Sequence, residues 1–110
     1  MDYSISHAQS YDVISLKGQF NAETVNGLRS QLDHLIKDCS GDLIIDMSSV
    51  EKFDSSGIGV LVFLYKRLKI EKRKLTLVGV NAKTDELLSM LQINKTIRQF
   101  SDLDDYLSNL

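Results

Sequence analysis

Residues 43–64 read LIIDMSSVEKFDSSGIGVLVFL, and three patterns follow one another within them. Leu43, Ile44, Ile45 and Met47 form a short, almost continuous apolar run between Gly41-Asp42 and Ser48-Ser49. Such a run predicts a strand covered on both faces, hence one at the centre of its sheet. Ser48 to Gly59 is polar and carries two glycines, as a strand-loop-helix junction would. From Ser55 to Lys69 the pattern becomes a helix, apolar nearly all round at first (Ile58, Val60, Leu61, Phe63, Leu64) and basic at its end (Lys66, Arg67, Lys69). A buried strand leading through a short junction into a tightly packed helix is the repeating unit of an α/β layer.

On the amino-terminal side, Tyr3, Ile5 and His7 alternate with polar residues, and Val13 with Ile14-Ser15-Leu16 forms a second strand after a Gln9-Ser10 turn. These predict an opening hairpin. Asn21 is placed to cap a helix in which Val25, Leu28, Leu32, Leu35 and Ile36 make an apolar face opposite Glu23, Arg29, Asp33 and Lys37. On the carboxyl side, Leu75-Thr76-Leu77-Val78 is a second buried-type strand. A helix from about Thr84 to Gln92 follows, with Leu87, Leu88 and Leu91 turned inward. Ile97 to Phe100 suits a last short strand, and the capping pattern Ser101-Asp102-Leu103-Asp104 precedes a final helix. The order is β β α β α β α β α. After the hairpin, strands alternate with crossover-length helices, which favours right-handed parallel connections and an α/β layer rather than a sandwich.

The chemistry concentrates at the junction. Loops at the carboxyl ends of strands are where α/β sheets meet ligands, and a helix start brings unpaired N–H groups there. With Asp54 or Ser55 as the cap, Ser56 and Gly57 fall in the first helical turn, the two hydroxyls stay near the surface, and Gly57 and Gly59 leave the backbone open to approach. A hydroxyl in this position is a fitting phosphate acceptor. Phosphorylation would add a charge of about −1.5 to −2 where the helix dipole tolerates it, so it would change the surface a partner meets without melting the fold. Asp54 beside the phosphate adds repulsion.

Other chemistries find less support. Gly57-Ile58-Gly59 lacks the third glycine of a dinucleotide fingerprint, Val62 standing in its place, and the chain has no phosphate-binding loop motif. The only histidines, His7 and His34, belong to a strand and a helix outside any recognisable triad, and Ser55 lacks a nucleophile elbow. Asp42, Asp46, Glu51 and Asp54 read as solvated loop positions without a metal-binding motif. The basic run Lys66, Arg67, Lys69, Lys72, Arg73 and Lys74 reads as a complement to a helix C-terminus followed by a solvent-facing turn.

The bulk composition agrees. At 110 residues with 43% apolar content the chain has the size of a single domain, 1–110, with one core. Cys39 is its only cysteine, which excludes an internal disulfide and a four-cysteine zinc site. A net charge of −2 gives no general attraction for nucleic acid or anionic membrane. Without a spanning segment or a signal-peptide pattern, the expectation is a cytoplasmic protein with no metal or other cofactor, no direct nucleic-acid binding and no membrane insertion.

Asp46-Met47-Ser48-Ser49-Val50 followed by Phe53-Asp54-Ser55-Ser56-Gly57-Ile58-Gly59 resembles the signature of the STAS family, shared by anti-sigma factor antagonists and the cytoplasmic ends of sulfate transporters. The resemblance extends to Leu16-Lys17-Gly18-Gln19-Phe20-Asn21, to Leu75-Thr76-Leu77-Val78-Gly79-Val80 and to Leu87-Leu88-Ser89-Met90-Leu91. It implies a single α/β domain with a mixed, mostly parallel sheet of four to five strands and about four helices. It further implies a non-enzymatic protein that binds an anti-sigma factor which is also a serine kinase of the GHKL type. That kinase, using ATP and magnesium, would phosphorylate the serine directly after the Asp, here Ser55 with Ser56 as the alternative, and a PP2C-type phosphatase would reset it. Asn21, Phe53, Asp54, Ser56, Gly57 and Ile58 would form or shape the partner surface. Asn21 stands where many antagonists carry an acidic residue, which bears on partner identity. Alternatives are a stressosome-like scaffold component, the soluble subunit of a membrane transport complex or, in a different class, a small-molecule or nucleotide-binding module.

Overall fold

The computed structural model describes residues 2–38 and 41–110; Cys39 lies outside them. Strands β1 (Asp2–His7) and β2 (Tyr11–Phe20) form the opening hairpin, and helix α1 (Leu28–Lys37) leads to β3 (Asp42–Phe53). Helix α2 (Ser55–Ile70), strand β4 (Leu75–Val78) and helix α3 (Ala82–Met90) follow. A 3-10 turn (Ile93–Lys95), strand β5 (Arg98–Phe100) and helix α4 (Leu103–Ser108) complete the chain. The five strands make one sheet in the order β1-β2-β3-β4-β5, antiparallel at the first pair and parallel thereafter. The sequence expectation of a mixed, mostly parallel sheet with β3 at its centre holds.

Alternation along the strands sends side chains to two layers. Ile14, Leu16, Leu43, Ile45, Leu75 and Leu77 meet Leu32, Ile36, Leu61, Leu64 and Leu88 of the first three helices in one core. Those helices therefore share one face of the sheet, so their crossovers share one hand. Ile44 and Val78 point the other way, where Tyr106 of α4 covers them. This is why the run Leu43-Ile44-Ile45 does not alternate: both of its faces are buried. Among the described residues no helix is long and apolar enough to cross a membrane.

Several sequence expectations are corrected. Helix α1 begins at Leu28, not after Asn21, because Gly27 adopts a left-handed conformation (φ 83°) that separates the helix from a turn starting at Asn21. Asn21 instead closes that turn: its carbonyl accepts the N–H groups of Thr24 and Val25. Strand β3 does not stop at Ser48-Ser49 but runs on to Phe53. Past Asp46, its last partner position with β4, it pairs with β2 alone. Leu91 lies past the end of α3 and is exposed, not inward.

The carboxylates and cations also depart from solvated roles. Asp42 accepts the Lys74 N–H and Asp46 the Ser48 N–H, each at 3.0 Å, from half-buried positions. Arg73 is not solvent-facing. It is buried, and it donates from Nε to the Gly41 carbonyl (2.7 Å) and from Nη1 to the Ile36 carbonyl (3.1 Å), closing the end of α1.

Candidate functional site

Strand β3 ends at Phe53 and α2 begins at Ser55, so the junction has shrunk to the single residue Asp54. Asp54 is extended (φ −139°, ψ −171°), the conformation of an N-cap. Its Oδ1 accepts the N–H groups of Ser56 (2.9 Å) and Gly57 (3.3 Å). Its carbonyl accepts from Gly57 (3.0 Å) and Ile58 (3.2 Å). The expectation that this helix start offers several free N–H groups is therefore corrected. Of its first four, only that of Ser55 lacks a partner among the described residues, since Asp54 takes the other three.

The second carboxylate oxygen of Asp54 reaches across to accept the Ala22 N–H (3.2 Å). This fixes the segment after β2 against the start of α2. That segment is itself held tightly: the Thr24 hydroxyl donates to the Gln19 carbonyl (2.8 Å) and accepts the Asn21 N–H (3.1 Å), and Asn21 Oδ1 accepts the Glu23 N–H (3.1 Å). Asn21 and Asp54, far apart in sequence, are thereby brought to one surface.

Beneath that surface the packing leaves no slack. Phe53 stands edge-to-face on buried Phe20, with centroids 5.4 Å apart at 69°. A Cβ on Gly57 would lie 2.6 Å from the Phe53 ring and 2.7 Å from the Phe20 carbonyl oxygen, so only glycine allows this approach. Gly59 differs: the nearest atom to a Cβ there is Nη2 of Arg29 at 3.7 Å, an ordinary contact. Gly57 and Ile58 are buried and support the surface from below.

The two serines face different surroundings. Ser55 is exposed; Ser56 is half-buried. Positions four apart share a helix face, so Ser56 heads the row of Val60 and Leu64, both in the core, whereas Ser55 heads the row of Gly59 and Phe63, which is partly open. Next to Phe53, between the end of β3 and the start of α3, lies a cavity of about 320 Å³ with Lys52, Lys83 and Leu87 on its walls.

Two features were not legible as parts of the site in sequence. The Ala22 N–H is a backbone group with no side-chain signature. Arg29, read as one more polar residue of α1, lies against α2, with its Cζ 5.1 Å from the Phe63 ring centroid. The two histidines lie away from the site, as their sequence positions implied: His34 is exposed on α1, and His7 bonds through Nδ1 to Asp12 in the hairpin.

The STAS domain family model matches residues 4–106. Among curated proteins, the chain is similar to the intermembrane phospholipid transport system binding protein MlaB of Escherichia coli (strain K12), with 28% identity over 93 residues, covering 84% of this chain and 93% of that protein. It is also similar to the anti-sigma-F factor antagonist RsfB of Mycobacterium tuberculosis (strain CDC 1551 / Oshkosh), with 26% identity over 98 residues, covering 89% and 80%. Among solved structures, an anti-sigma-factor antagonist (STAS) domain protein from Planctomyces limnophilus has the same fold, with a TM-score of 0.85 at 23% identity, covering 97% of this chain and 95% of that one.

Proposed function

The chain belongs to the STAS domain family, and from that premise we propose that it is a phosphorylation-regulated antagonist of an anti-sigma factor. In this reading the unmodified protein captures an anti-sigma factor that is also a GHKL-type serine kinase, and so releases the sigma factor. The kinase then transfers a phosphoryl group from ATP to Ser55, capture ends, and a PP2C-type phosphatase restores the starting state. The chain acts as ligand and substrate, in the cytoplasm, and catalyses nothing itself.

The observation that carries this reading is the contrast between the two serines. Ser55 is exposed at the first position of α2, while Ser56 heads a row leading into the core. A kinase can reach the first without disturbing the fold. The docking surface combines Asn21, Phe53, Asp54 and Ser56, with Gly57 and Ile58 setting its shape from beneath, and it extends over the cavity beside Phe53. A phosphate there places a dianion beside the Asp54 carboxylate, so a partner pocket shaped for a neutral serine loses its fit.

The likeness to MlaB favours one second reading, a soluble subunit of a membrane transport complex that holds its partner constitutively. Intact-mass measurement and site mapping on protein isolated from its native cells separate the two. Phosphate on Ser55 that disappears in Ser55→Ala and persists in Ser56→Ala supports the switch. A chain that stays unmodified across growth conditions supports the constitutive subunit.

A further inference from the structure

We propose that Arg29 is the built-in counter-charge for a phosphate on Ser55, an inference that rests on Ser55 being the acceptor. The need for one follows from the cap. A phosphate at a helix start is ordinarily received by free N–H groups, but here Asp54 has taken those of Ser56, Gly57 and Ile58, and its own negative charge stands next to the acceptor. A dianion on Ser55 therefore needs a cation from another element.

The chain has four arginines, and three are committed. Arg67 pairs with Asp33 and Glu71, Arg73 holds two backbone carbonyls, and Arg98 bonds to Thr76. Arg29 is exposed, and among the described residues its guanidinium has neither a carboxylate nor a hydrogen-bond acceptor. It lies on the row that Ser55 begins: Nη2 is 3.7 Å from where a Gly59 Cβ would stand, and Cζ is over the Phe63 ring. Gly59 lies four residues on from Ser55 on the same face of the helix, a rise of about 6 Å. Gly59 carries no side chain to come between them. A phosphoserine side chain bending along this row meets the guanidinium, whose planar fork suits phosphate oxygens.

Phosphorylation would then do two things to the surface. It adds negative charge beside Asp54, and it withdraws an uncommitted arginine from any acidic group of the partner.

The test uses the full chain carrying phosphoserine installed at position 55 during synthesis, so no native kinase is needed. The phosphorus resonance is titrated with pH, the second ionisation of a phosphoserine lying near about 6. With Arg29 present the midpoint should lie about half a unit below that of the same phosphoprotein carrying Arg29→Gln. Arg29→Lys should recover part of the difference. Equal midpoints with and without Arg29 overturn the pairing. In the otherwise unaltered chain, the Arg29 Nε resonance should shift on phosphorylation, and an unmoved resonance also overturns it. A cell in which Ser55 is never modified would defeat the switch reading without touching this measurement.

Discussion

Asp54 accepts the backbone N–H of Ala22 at 3.2 Å across 32 residues of sequence, with the carboxylate oxygen that its own helix does not use. One side chain thus starts α2 and fastens the segment after β2 to it. Asp54→Ala should cost about 1–2 kcal/mol, as loss of an N-cap does. Asp54→Asn should keep most of that stability through its remaining amide oxygen while placing an amide donor opposite Ala22. Thermal unfolding measures the first effect, and faster hydrogen exchange at Ala22 in the Asn variant measures the second.

The glycines of the same helix should respond in opposite directions. Gly57→Ala forces a methyl against the Phe20 carbonyl and the Phe53 ring, and should destabilise by about 1–3 kcal/mol. Gly59→Ala meets only ordinary contact and should stabilise by about 0.5–1 kcal/mol, since alanine loses less backbone freedom in a helix. Urea midpoints of the two variants should fall on either side of the parent's.

Arg73 sits in a basic run but acts as a structural donor. Arg73→Met leaves the Ile36 and Gly41 carbonyls without their partner and should cost about 2 kcal/mol or more. Arg73→Lys should rescue little, because one ammonium cannot reproduce the guanidinium fork. Equilibrium unfolding of both variants checks this.

For the switch itself, Ser55→Asp should lose partner capture that Ser55→Ala retains, with melting temperatures close to the parent's. Pull-down against the cognate anti-sigma factor supplies the comparison. Equal capture by two properly folded variants would count heavily against regulation at Ser55.

At alkaline pH the ionisation of Tyr106 should come late. Tyr106 is raised above the ordinary phenol range, first by burial and then by the Asp42 carboxylate, against a smaller lowering by Arg98. Its ionisation is thus delayed in the folded state. The corresponding stability is complete below the unfolded value, near about 10, and is lost as pH rises from there through the folded value. Absorbance titration should show one late phenol, absent from Tyr106→Phe.

The sequence was most readable where burial alone decides structure. The run Leu43-Ile44-Ile45 announced a central strand because both faces are covered, and the apolar start of α2 announced its packing. It was least readable where a long-range contact decides. Ser48-Ser49 looked like a strand end because the far half of β3 has only β2 beside it, and exposed polar residues suit that position. Asn21 looked like a helix cap because nothing local reveals that Gly27 turns left-handed. Arg73 looked solvated because its acceptors are backbone oxygens from 32 and 37 residues earlier in the chain. At the site, local cap chemistry narrowed the helix start to Asp54 or Ser55, and the cap is Asp54. The tie to Ala22 and the approach of Arg29 exist only once α1 and α2 are packed.

The strand order, which is also the order of the chain, bears on how the molecule is made. As synthesis proceeds from the amino terminus, each new strand finds its only earlier neighbour already in place, so the sheet can grow in one direction with no strand waiting for a later one to be inserted. The exception is α4, which must return to cover Ile44 and Val78 on the opposite face. A nascent chain in which α4 has not yet docked would carry Ile44 and Val78 on a bare apolar face, making the docking of that helix the step at which aggregation and folding compete.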